Sequence, residues 1–183
     1  MSKRTIILII LLVIVSGALL YTAAYQGQKQ SEQMAQPMVT PVINAHTILS
    51  LSPSTTATNS VDVTINTMGD NVTAVQAEVV YDTMKIRNVK VTQGSFFNTP
   101  IVLFNQIDQK TGRVSYAIGI QPMDQPKKGS GTVATISYDL VSGAKGPVTL
   151  TFLPKTKVTA EGIAQSVLKT ANSITINLPT GAM

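Results

Sequence analysis

Val75-Gln76-Ala77-Glu78-Val79-Val80-Tyr81-Asp82 is the stretch whose reading decides the fold. Val75, Ala77, Val79 and Tyr81 alternate with Gln76 and Glu78. A two-residue period puts successive side chains on opposite faces, which is a half-buried strand and not a helix. The same period recurs on both sides of this stretch. Val61, Val63 and Ile65 precede it; Val114, Tyr116, Ile118 and Ile120 follow, then Ile136, Tyr138 and Leu140, Val148, Leu150 and Phe152, and Ile174, Ile176 and Leu178. Turn signals part these runs: Met68-Gly69-Asp70-Asn71, Gln93-Gly94, Lys128-Gly129-Ser130-Gly131 and Ser142 to Pro147. Asp108 to Arg113 reads as a hairpin loop. Val, Ile and Thr make up 45 of the 136 residues from Ile48 to Met183, a composition that favours strands. About nine strands, each with one buried face, predict an all-β, two-sheet antiparallel sandwich. A segment of this length can bury a full core without disulfides.

Composition narrows the chemistry. The chain has 183 residues, one His, no Cys and no Trp. That leaves no disulfide framework, no thiolate nucleophile and no His or Cys cluster for zinc. Its single His46 lies outside the strand-rich segment, and no Gly-x-Ser-x-Gly or phosphate-cradling Gly loop occurs. No Asp-x-Asp-x-Asp run suggests calcium. The reading is a non-enzyme without metal or cofactor. The net charge of +5 falls to +3 from Ile48 onward, with dispersed Lys residues, so no nucleic-acid surface is expected.

The N-terminus has a different character. No charge occurs from Thr5 to Gln28, and Ile6 to Val15 is unbroken aliphatic sequence behind Lys3 and Arg4. A helix from Thr5 to Ala24 would be about 30 Å long, the thickness of a bilayer's hydrocarbon core. Residues 1–25 therefore read as a single transmembrane helix with a cytoplasmic N-terminus. A cleaved signal peptide is the alternative, with Ser16-Gly17-Ala18 or Thr22-Ala23-Ala24 as the small-residue site. Both readings place the remainder outside the cytoplasm. Residues 26–47, rich in Gln and carrying Pro37 and Pro41, read as a linker spanning about 25 Å if flexible. Residues 48–183 are the domain.

Several runs in that domain resemble the cohesin family. They are Val75 to Asp82 followed by Met84-Lys85-Ile86, then Gly94-Ser95-Phe96-Phe97, then Gly131 to Leu140 followed by Gly146-Pro147-Val148-Thr149-Leu150. Their order and spacing match the family throughout. The resemblance implies a nine-stranded jelly roll, similar in fold to bacterial carbohydrate-binding modules. It further implies binding of dockerin modules in polysaccharide-degrading assemblies. In the best-known cohesin class, the strand ending in Tyr-Asp presents Asn and Asp to the dockerin, seven and five residues before the Tyr. Here those positions are Ala74 and Gln76, so that pair is not retained.

The candidate partner-binding residues are accordingly Ala74, Gln76, Glu78, Ser115 and Ala117, the last four read as exposed alternates of their strands. Ordinary solvent-facing residues are the plain alternative. The expected partner is a protein of dockerin-like type. A polysaccharide ligand or a passive envelope role are the rival readings. Flat sugar platforms stack aromatic rings, yet Tyr81, Tyr116 and Tyr138 fall in the core register. Phe96-Phe97 reads either as a surface pair or as a loop plugging one end of the sandwich. Leu178-Pro179-Thr180-Gly181 lacks the spacing residue of a sortase signal. Asn71-Val72-Thr73 fits a glycosylation triplet.

Overall fold

The computed structural model describes residues 16, 18, 19, 21, 22 and 45–178. The chain divides into two compact units, Met1–Val42 and Ile43–Met183. In the first, the five described residues are helical, and Thr22 Oγ1 donates to the Leu19 carbonyl at 2.9 Å. Among the described residues no helix is long and apolar enough to cross a membrane. Most of the expected span, and nearly all of the linker, lie outside them.

Among its described residues the second unit has eleven strands: β1 Thr47–Pro53, β2 Ser60–Asn66, β3 Val72–Val80, β4 Ile86–Gln93, β5 Ile101–Asp108, β6 Arg113–Gly119, β7 Ser130–Leu140, β8 Pro147–Phe152, β9 Lys157–Ala160, β10 Leu168–Asn172 and β11 Ile174–Asn177. They form two sheets. One has the order β10-β1-β2-β7-β4, the other β11-β8-β3-β6-β5, with β9 pairing beside β3. All pairings are antiparallel except β1 with β10.

The alternating runs of the sequence become the inner faces. Val61, Val63 and Ile65 of β2 face Val75, Ala77 and Val79 of β3 in one continuous buried cluster with Val114, Ile118, Ile136, Val148 and Leu150. Tyr81, Tyr116 and Tyr138 join that core as their register predicts. Tyr116 is 2% exposed, and its hydroxyl has no partner among the described residues. An unpaired buried hydroxyl is a desolvation cost with no return. Tyr116→Phe is therefore expected to leave stability unchanged or raise it by up to about 1 kcal/mol, read by urea unfolding.

The count of about nine strands is corrected to eleven, and the wholly antiparallel sandwich acquires one parallel pair. The excess arises where strands are shortest. β9 has four residues, too few for a period to show. β10 precedes the alternating run read at Ile174, Ile176 and Leu178 and shows no such run itself; the chain changes sheets at Ser173, between Asn172 in one sheet and Ile174 in the other. The Ser173 hydroxyl takes up the Phe152 amide proton at 3.3 Å, occupying a donor at the corner. The expected domain begins at Ile48; β1 begins at Thr47, whose side chain is fully buried and donates to Asp70 Oδ2 at 2.8 Å.

Phe96 and Phe97 prove to be the plug. They are 2% and 3% exposed, with ring centroids 4.8 Å apart in an edge-to-face arrangement. A bulge in β7 makes this possible. Val63 pairs with Ala134 and Thr64 with Thr132, so Val133 is passed over by β2. The Val133 carbonyl accepts the Gly94 amide at 2.9 Å, and the Thr132 carbonyl accepts that of Phe96 at 2.8 Å.

Candidate functional site

The strand that ends in Tyr-Asp is β3, and it lies between β6 and the β8–β9 side of its sheet. Its outward residues are set by register. Ala74 pairs with Gly119, Gln76 with Ala117, Glu78 with Ser115 and Val80 with Arg113. The pattern continues onto β5, where Gln106 pairs with Ser115 and Phe104 with Ala117. All five sequence-predicted residues therefore share one outer face, on two neighbouring strands.

Two of them are less accessible than an exposed alternate should be. Ala117 is 3% exposed, because its methyl group sits between the longer Gln76 and Phe104 of the flanking strands. Glu78 is 5% exposed and is the centre of a polar cluster. Its Oε2 accepts Arg113 Nε at 3.0 Å, Arg113 Nη2 at 2.9 Å and Ser115 Oγ at 2.8 Å. Its Oε1 accepts Gln76 Nε2 at 3.2 Å. The turn after β8 covers the backbone: the Glu78 amide donates to Thr156 Oγ1, and its carbonyl accepts Leu153 N and Thr156 Oγ1. Burial by itself pushes the Glu78 carboxyl up. Hydrogen bonds from Ser115, Arg113 and Gln76, with the Arg113 charge, outweigh it and hold the group below its ordinary value of 4.5. Glu78 is thus a charged anchor inside the face, tying β3 to β6, and not a free contact residue.

The exposed elements of the face are elsewhere. Ala74, Gln76 and Ser115 are half-buried. On the edge strand β5, Ile101 pairs with Gly119 in the outward register and is 41% exposed; Leu103, passed over at a bulge, is 60% exposed, and Val102, paired with the inward Ile118, is 44% exposed. Sequence reading missed them because three consecutive apolar residues show no alternation. Arg113 was absorbed into a predicted loop, although its place two residues before Ser115 puts it in the outward register. That loop is otherwise as expected: Asp108 Oδ1 accepts the amides of Lys110 and Thr111 at 2.9 and 3.2 Å.

His46 lies away from this face, with Nδ1 3.5 Å from Asp70 Oδ1 at the start of β1. Among the described residues no group of three His, Asp or Glu side chains is placed to hold a metal ion.

The second unit is therefore a two-sheet sandwich, and one outer face of it carries the buried Glu78 carboxylate paired with the partly exposed Arg113. Its fold is that of the cohesins. The third cohesin ScaC of Acetivibrio cellulolyticus, solved in complex with the ScaB dockerin, superposes with a TM-score of 0.58 at 16% identity, covering 73% of this chain and 99% of that one. CaCohA2 of Clostridium acetobutylicum gives 0.56 at 22% identity, over 77% and 96%. The type I cohesin of the Coh-OlpA-Doc918 complex of Clostridium thermocellum gives 0.55 at 10% identity, over 69% and 96%. No protein-family model matches the sequence, and no curated protein matches it. Identities this low carry the fold and nothing finer.

Proposed function

We propose that the chain is a non-catalytic binding module whose β3–β6–β5 face captures a protein partner of dockerin type. The observation that carries this reading is the occupancy of the like-folded structures. Several of these cohesins were solved with a dockerin bound. The strand that the resemblance assigns to partner recognition is β3, and its outward positions Ala74 and Gln76 adjoin Ala117, Ser115 and, across Gly119, the exposed Ile101 of β5. Ala74 and Gln76 here replace the Asn and Asp of the best-known class, so contact area and a neutral amide, not a carboxylate, supply the recognition. In this reading residues 1–25 anchor the chain in a membrane, and the domain stands outside the cytoplasm on its linker. The assembly it serves is a polysaccharide-related one at the cell surface.

Immobilised full-length chain, presented with dockerin-bearing and other exported proteins, tests the proposal. Saturable capture of one of them is expected. Ala74→Arg places a long cation on the face opposite Gly119 and is expected to weaken capture at least about tenfold. No capture, or capture indifferent to Ala74→Arg, would sink the reading.

A further inference from the structure

A cleft lies on the other sheet, and a bulge creates it. β4 pairs with β7 through Arg87↔Asp139 and next through Lys90↔Ser137, so three steps on β4 meet two on β7. The extra residue parts the strands. Asn88 takes a left-handed backbone, φ 51°, and Val89 turns inward to 2% exposure. Bulges of this kind redirect side chains and recur beside binding sites.

The bulge is held from behind. Gln109, at the β5–β6 turn of the opposite sheet, donates from Nε2 to the Val89 carbonyl at 2.9 Å. Its Oε1 accepts the Val89 amide at 3.3 Å and the Tyr81 hydroxyl at 3.1 Å. The amide of Gln109 thus does for Val89 what a neighbouring strand would do. The opening is a fixed feature of the fold, not a slack edge.

The resulting cleft encloses about 620 Å³, within the range of small-ligand sites. Asn59, Asn88, Lys90, Ser137 and Asp139 line it, with Tyr138 beside them. Asn59 and Asn88 are two of the three non-glycine residues with positive φ among those described, and both lie here. The side chains of Asn59, Lys90 and Ser137 make no hydrogen bond or ion pair among the described residues. Asp139 spends Oδ2 on Asn88 Nδ2 at 2.9 Å and keeps Oδ1 free. The lining therefore offers donors and acceptors together, with one positive and one negative charge. An anion would meet Asp139 and a cation would meet Lys90. A hydroxyl group both donates and accepts, so a neutral polyhydroxylated ligand satisfies both kinds of group at once.

We propose that the β4-bulge cleft, built by Asn59, Asn88, Lys90, Ser137 and Asp139, is a binding site for a neutral oligosaccharide. The site stands on β4 and β7, so it is independent of the partner-binding reading of β3 and β6. The test is isothermal titration of the full chain, held in lauryldimethylamine oxide because that detergent carries no sugar. The probes are neutral gluco-, xylo- and manno-oligosaccharides, with uronic-acid and amino-sugar oligomers for comparison. Saturable binding to a neutral oligomer is expected. The double variant Asn59→Gly/Ser137→Ala removes two side chains with no internal partner and keeps a residue suited to the left-handed backbone at 59, so the fold should survive, as thermal denaturation will show. It is expected to weaken binding at least about tenfold, and Ala74→Arg should leave binding unchanged. The proposal is overturned if no neutral oligomer binds up to about 10 mM. Binding of charged sugars alone, or binding indifferent to the double variant, overturns it equally.

Discussion

Gly94→Ala is expected to destabilise the domain by about 3 kcal/mol or more, which for a domain of this size lowers Tm by about 10 °C. The reason is local and backbone-made. Gly94 follows β4 and lies directly against β7, where a Cβ would collide with the Thr132 carbonyl and crowd the backbone carbon of Val133. Neither can rotate away as a side-chain tip can. Relief requires the segment to lift from β7, which breaks the Gly94–Val133 and Phe96–Thr132 hydrogen bonds. It would also draw Phe96 and Phe97 from the core they close. Ser95→Ala, at an exposed neighbouring position, is the control and should move Tm little. If Gly94→Ala unfolds at the same urea concentration as the parent, the close approach of the two segments is not a constraint.

Arg113→Ala should cost about 2–3 kcal/mol at neutral pH, because it leaves a buried carboxylate short of two hydrogen bonds and its counter-charge. The figure is set below the range for fully buried pairs, since the Arg113 side chain is 40% exposed and water screens it. The pH dependence distinguishes this from lost packing. Glu78 titrates below its ordinary value of 4.5 in the folded chain. Its contribution is then complete above 4.5 and is lost as pH falls through the lower folded value. Protonation removes the charge that Arg113 serves. The gap between parent and Arg113→Ala should accordingly be widest above pH 5 and narrow in acid. Urea midpoints measured between about pH 3 and 7 would show it. A gap that stays constant across that span would mean the guanidinium acts only by covering the sheet. Glu78→Gln, which keeps the shape and removes the charge, should flatten the parent's own acid limb.

These two sites mark different depths of legibility. Gly94-Ser95-Phe96-Phe97 stands out in the sequence, and the plug reading of its rings is the one the fold adopts. The β7 bulge that receives it does not stand out, because Val133-Ala134 reads as ordinary strand until β2 passes over Val133. Glu78 shows the opposite failure. Alternation placed it on the outer face, correctly, but accessibility depends on what crosses above that face. Arg113, Ser115, Gln76 and the turn at Thr156 come from three separate parts of the chain. Likewise the β4-bulge cleft joins Asn59, Asn88 and Asp139, which share no spacing signal at all.

What the amino-acid sequence determined by itself was every property with a local cause. Period-two alternation chose strands, fixed the inward side of six of them and committed three tyrosines to the core, because side-chain direction follows from backbone geometry one residue at a time. Absence of Cys and the presence of a single His removed thiolate and His-cluster chemistry from composition alone. Only the tertiary structure decided how many strands there are, where the chain changes sheets at Ser173, and which outward residues are covered. It alone brought Gln109 to the bulge and the fork of Arg113 to Glu78. Those outcomes are pairings between distant segments, and the free energy of such a pairing belongs to neither segment until the fold has closed the loop between them.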